Sequence, residues 1–145
     1  MAERRSRLGW AAASPRVSSP MDIDGMTAIQ RFESGARMSQ AVAHGDLVFL
    51  AGQTAATPEG TGVTAQTHEI LGQIDRLLAL AGSDKSRILS ATVYLSDIAT
   101  FGAMNEAWEA WVDRANPPAR ATVEARVCEP FYLVEIVVVA ARGAR

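Results

Sequence analysis

Leu133-Val134-Glu135-Ile136-Val137-Val138-Val139-Ala140-Ala141 is the stretch that decides the fold. It is rich in β-branched residues and apolar at every position but one, the pattern of a strand buried on both faces. An ionised carboxylate in such a strand is costly unless it is paired, protonated or put to work. Glu135 therefore needs a partner, a proton or a task. Just upstream lies Pro117-Pro118-Ala119-Arg120-Ala121-Thr122-Val123-Glu124-Ala125. Arg120 opens a further strand, expected over about residues 120–127, and is a candidate for the same site. Arginine is the side chain best shaped to hold a carboxylate by two parallel hydrogen bonds.

Outward from these strands the pattern alternates. Residues 28–33 read as a short first strand. Residues 38–43 and 47–52 flank His44-Gly45-Asp46, a hairpin with glycine in its turn. Pro58, Gly60 and Gly62 mark a loop. Thr64 is placed to cap a helix that runs to about Ala81, with Ile70, Ile74, Leu77, Leu78 and Ala81 on one stripe and Gly82 as its stop. Residues 88–96 read as a strand with Leu89, Ala91, Val93 and Leu95 on one face. A second helix follows from about Thr100, with the stripe Phe101, Met104, Trp108, Trp111 and Val112, and Asn116-Pro117-Pro118 closes that region.

The order is therefore β-β-β-α-β-α-β-β. Two one-sided helices need one sheet to cover, which makes an α+β layer. The last strand is apolar on its other face too, and 145 residues leave no third layer to cover it. A second copy of the chain is the simplest cover, so a homo-oligomer is expected. If the last two strands form a plain hairpin, Glu124 falls opposite Glu135, and like charges facing across a ladder are unfavourable. Either the register differs, the two face different surroundings, or one is protonated.

The net charge is −2. It is unevenly spread: residues 1–20 carry Arg4, Arg5, Arg7 and Arg16 against Glu3, a balance of +3, so the remainder carries −5. An acidic body argues against a nucleic-acid surface. Residues 1–25 read as a flexible extension without periodicity, and residues 26–145 as a single domain. The single cysteine, Cys128, permits no internal disulfide and fits a reducing compartment, read here as the cytoplasm. No apolar run is long enough for a membrane span.

His44 and His68 lie far apart beside turn or helix-start signals, and no Cys/His spacing suits a metal. Cys128 has no histidine partner in sight and reads as a small apolar filler near a strand end. No metal or cofactor is expected.

Seven short pieces, in order, resemble the reactive-intermediate deaminase family, also called RidA or YjgF-like. They are Ala51-Gly52-Gln53, Gln73-Ile74-Asp75, Ala81-Gly82-Ser83, Ala91-Thr92-Val93-Tyr94-Leu95-Ser96-Asp97, Met104-Asn105-Glu106-Ala107-Trp108, Pro118 through Ala125, and Val134-Glu135-Ile136. The resemblance implies a chorismate-mutase-like fold: one mixed sheet, two helices on one face, and a homotrimer with sites in clefts between subunits. It implies hydrolysis of 2-imino or 2-enamino acids to 2-oxo acids and ammonia, as in a 2-iminobutanoate/2-iminopropanoate deaminase, without a cofactor. By the same resemblance Arg120 binds the substrate carboxylate and Glu135 holds water. Asn105, Gly52 and Met38 line the site.

This chain departs from the pattern in places. Met38 stands where the family's deaminases place a tyrosine, Ala51 where they place a serine, and Trp108 where a smaller aromatic is common. These changes motivate an alternative, a non-catalytic trimeric binder of small carboxylate metabolites.

Overall fold

The computed structural model describes residues 28–143. Its elements are β1 Gln30–Ser34, β2 Ser39–His44, β3 Leu47–Leu50, α1 Val63–Leu80, β4 Ile88–Leu95, α2 Phe101–Trp111, β5 Ala119–Glu124 and β6 Val134–Ala141. Short 3-10 turns precede β4 and α2. The expected order of strands and helices is the one that forms. It makes a chorismate-mutase-like α+β layer, with one mixed six-stranded sheet and both helices over one face. The extension expected over residues 1–25 lies outside the described residues.

The sheet runs β1-β2-β3-β6-β4-β5. β2 and β3 form a tight hairpin whose last pair is His44 with Leu47. Gly45 takes φ +60 there, the left-handed region that a two-residue hairpin loop with glycine first requires. β6 does not fold back on β5. It inserts between β3 and β4, antiparallel to both, while β5 lies parallel to β4 at the sheet edge. The unit β4-α2-β5 is thus a parallel crossover through a helix.

α1 buries Ile70, Ile74, Leu77, Leu78 and Ala81, as its stripe predicts, against Val48, Leu50, Ala91, Val93, Leu95, Val134, Ile136, Val138 and Ala140. Each large aliphatic side chain so buried stabilises the fold by ~1.5–3 kcal/mol. The helix ends where Gly82, at φ +83, lets Ser83 N–H reach back to the Leu78 carbonyl at 2.8 Å. At its start the expectation fails. The N-cap is Gly62, and Thr64 Oγ1 donates instead to the Ala103 carbonyl at 3.1 Å, tying α1 to the start of α2.

Three further expectations are corrected. Leu89 does not share the face of Ala91, Val93 and Leu95; a register shift between Ile88 and Ser90 turns it outward, 49% exposed, and Ile88 is buried instead. Cys128 is exposed, and Val127 is the buried side chain at that strand end. Glu124 and Glu135 do not face one another, because β5 and β6 are not neighbours. Glu124 pairs with Leu95, and its Oε2 accepts from Ile98 N–H at 2.9 Å. Glu135 pairs with Tyr94 on the other side of β4 from β5.

The sheet face away from the helices carries Phe49, Val137 and Val139 among its side chains. Phe49 is 45% exposed, and no element among the described residues covers this face.

Candidate functional site

The pairing of Ala91 with Arg120 fixes the direction of the arginine. Ala91, Val93 and Leu95 are buried beneath the helices, so Arg120 rises from the sheet edge on the helix face. There it meets α2. Its Cζ lies 5.0 Å from the Trp108 ring centroid and 5.9 Å from that of Phe101, and Nη1 lies 4.0 Å from Met104 Sδ. Phe101, Met104 and Trp108 recur at three and four residues, one face of a helix, which is why α2 presents them together. The rings attract the cation through their faces. The sole ion pair among the described residues is Arg76 with Glu33, so Arg120 has no carboxylate partner there. Partial burial pushes its pKa below the usual arginine value, an effect the nearby Glu109 opposes. The guanidinium is thus partly shielded by the two rings, and its only side-chain hydrogen-bond partner among the described residues is the distant Met104 sulfur, a state suited to capturing an anion.

Asn105 is half-buried on the same turn of α2, next to Met104 and four residues after Phe101. It belongs to the Arg120 side of the molecule. Thr122, two residues beyond Arg120 and therefore on the same face of β5, carries a buried Oγ1 with no hydrogen-bond partner among the described residues. No local signal marks it, because the face it takes is set by the parallel pairing with Val93.

Glu135 stands on the opposite face. Val134 and Ile136 point beneath the helices, so Glu135 between them points away. Its carboxylate rests on the backbone of Gly52: a Cβ placed there would lie 2.0 Å from Oε1 and 2.9 Å from Cδ. Gly52 is held in this position by its neighbour Gln53. Gln53 N–H donates to the Ile136 carbonyl at 2.9 Å, and Ile136 N–H donates to the Gln53 carbonyl at 3.1 Å. The Gln53 amide Nε2 donates to Gln40 Oε1 at 3.1 Å and to the Ala51 carbonyl at 2.9 Å. Glu135 also lines a cleft of about 310 Å³ with Tyr94, Ala125, Arg126, Val127 and Val137.

The structure therefore seats Glu135 on Gly52, while Asn105 shares only its helix with the side chains that contact Arg120. It does not bring Arg120 to Glu135 within one chain, since the two project from opposite faces of the sheet. Met38 falls in a third place, a surface hollow lined by residues 33–38 and Gln40. It approaches the Glu135 side only through Gln40, whose side chain meets Gln53. Among the described residues no group of three or more His, Cys, Asp or Glu is placed to hold a metal ion.

Comparison with known proteins fits this geometry. The family model described as Endoribonuclease L-PSP matches residues 28–142. A RutC family protein of Haemophilus influenzae is 45% identical over 112 residues, spanning 77% of this chain and 97% of that protein. The RutC family protein YoaB of Escherichia coli is 44% identical over 115 residues, spanning 78% and 97%. Among solved structures, a YjgF family member from Neisseria meningitidis superposes with a TM-score of 0.79 at 40% identity, covering 83% of this chain and 99% of that one. A Mycobacterium tuberculosis member of the YjgF/YER057c/UK114 family gives 0.70 at 28% identity, covering 79% and 99%.

Proposed function

The chain belongs to the YjgF/RidA family, whose model carries the description Endoribonuclease L-PSP, and on that premise we propose that it hydrolyses 2-imino and 2-enamino acids to 2-oxo acids and ammonia. The observation that carries the reading is Arg120, a partly desolvated cation clasped between two aromatic rings with no carboxylate partner among the described residues. Such a group is matched to the carboxylate of a small acid.

Because Glu135 projects from the other face, a site that uses both residues takes Arg120 from one copy and Glu135 from the next. The bare sheet face around Phe49, Val137 and Val139 supplies the contact surface for that assembly, and three copies closing around it make the homotrimer.

In such a cleft Arg120 fixes the substrate carboxylate by a two-point ion pair, which places the adjoining C=N carbon and removes much of the orientational part of the barrier. Glu135 draws a proton from a water held against that carbon. The water oxygen bonds to carbon as the C=N π pair moves to nitrogen, which takes a proton. The tetrahedral adduct then collapses: Glu135 relays the second proton from oxygen to the amine nitrogen, the C–N bond breaks, and ammonia leaves. The water oxygen remains as the keto oxygen. Asn105 on α2 and the backbone at Gly52 beneath Glu135 line the two sides. Imines hydrolyse readily in water, so orientation and one base suffice for a useful acceleration.

The ribonuclease description in the family's name finds no support in this chain's charge. The body beyond residue 20 carries −5, and RNA binding draws on clustered cations.

The test is release of 2-oxo acid from imines generated in situ by an amino-acid oxidase. The reading expects acceleration over buffer, lost in Arg120→Ala and in Glu135→Gln. Saturable, Arg120-dependent binding of a 2-oxo acid with no acceleration would replace catalysis by simple carboxylate binding.

A further inference from the structure

The Glu135 cleft contains a second feature that the hydrolysis of a plain imino acid leaves unused. Arg126 lines it together with Glu135 and Tyr94. The two opposite charges share one cleft, yet they form no ion pair, and neither side chain has a hydrogen-bond partner among the described residues. The carboxylate is instead seated over Gly52, where the missing Cβ gives it room. Tyr94, the cross-strand neighbour of Glu135, adds a phenol to the same wall, while Val127 and Val137 supply apolar surface. Arg126 lies past the end of β5, outside the strand's alternation, so no ladder position dictates a cation there.

Resting on the deaminase reading, we infer that Arg126 is a second anion-binding group of that site, and that the preferred substrates are 2-imino acids bearing a distal carboxylate. A neutral imino acid presents one negative charge, which Arg120 of the adjoining copy takes. It would leave Arg126, an exposed side chain at the rim of the cleft, paired with water alone. A 2-imino diacid presents a second carboxylate, and a cleft of about 310 Å³ has room for about ten waters. That is ample for a four- or five-carbon diacid with its reacting carbon near Glu135. The arginine fork and the Tyr94 hydroxyl are both donors suited to a carboxylate. Repulsion between Glu135 and the incoming carboxylate is offset by Arg126 in the same cleft. The cleft is open, so the preference is moderate and weakens as salt screens the charges.

The experiment compares imines made in situ from aspartate or glutamate with those from neutral amino acids of similar length, following 2-oxo acid release in the full-length protein. The expected result is a kcat/KM for the diacid imines higher by about tenfold, shrinking at high salt. Arg126→Met should abolish that preference, and Arg126→Lys should restore part of it. Equal rates for the two substrate classes, or a loss in Arg126→Met that falls on both classes alike, would overturn the inference.

Its failure is separable from failure of the deaminase reading. If no imine is accelerated, calorimetry with 2-oxoglutarate against 2-oxobutanoate decides. Tighter diacid binding that depends on Arg126 sustains the second anion site, and equal binding of the two removes it.

Discussion

The Glu135 carboxylate occupies the space that a side chain on residue 52 would fill, with Oε1 only 2.0 Å from where the Gly52 Cβ would stand. Gly52 does not adopt a positive φ, so its backbone would accept alanine. What must give is the end of a flexible glutamate, and that yields at little cost to folding. Gly52→Ala should therefore leave stability within about 1 kcal/mol while reducing turnover by on the order of tenfold to a hundredfold, close to the effect of Glu135→Gln. Thermal denaturation and imine hydrolysis measured on the same sample decide. Full activity in Gly52→Ala would mean that the seat of Glu135 is irrelevant to the chemistry.

Phe101 and Trp108 flank Arg120, but only Phe101 is exposed. Phe101→Leu thus removes one ring face without opening the core. A cation–π contact at an exposed position contributes ~0.5–1 kcal/mol, so KM should rise about two- to fivefold with kcat little changed. A fall in kcat at constant KM would place Phe101 in the chemical step rather than in holding the carboxylate-binding group.

Gln66 is a buried polar residue that joins two loops. Its Nε2 donates to the Phe131 carbonyl at 3.0 Å and the Pro58 carbonyl at 3.3 Å, and its Oε1 accepts from Leu133 N–H at 3.0 Å. Gln66→Leu preserves bulk but leaves these backbone groups without their partner, at ~2–4 kcal/mol in total. Chemical denaturation should register that loss. Hydrogen exchange at the Leu133 amide should speed up before exchange in β4 or α1 does. A cost below ~1 kcal/mol would show that water replaces the glutamine.

Glu33 is held below its ordinary pKa of 4.5, chiefly by its hydrogen bond from Arg76. A carboxylate depressed in the folded state adds stability that is fully present above the unfolded value and is lost as pH falls through the folded one. Melting temperature should therefore drop on acidification below about pH 4.5, and Glu33→Gln should flatten that limb slightly, the pair being exposed. An unchanged acid limb would assign it to other carboxylates.

The α1 stripe and the doubly apolar β6 were readable directly, because burial enforces periodicity in the residues themselves. The strand order was not. β6 fits between two antiparallel neighbours and β5 sits on the edge, and no local signal distinguishes that from a hairpin of the two. With the order went the faces: Arg120 and Glu135 each announce an unusual charge, but which side of the sheet each takes follows from pairing with Ala91 and Tyr94. Leu89 fails for a similar reason, since one bulged residue inverts a parity that the sequence cannot mark. Arg126 carries no local signal because it lies beyond any periodic element.

If the proposed site takes Arg120 from one copy and Glu135 from the next, each chain is half of two different workplaces and the whole of none. Chains disabled at one residue then complement chains disabled at the other. Arg120→Ala and Glu135→Gln, each inactive alone, should recover activity when unfolded together and reassembled, at roughly one cleft in four for random mixing in a ring of three. A gene carrying one lesion would be rescued by a copy carrying the other, which no enzyme with a self-contained site can do.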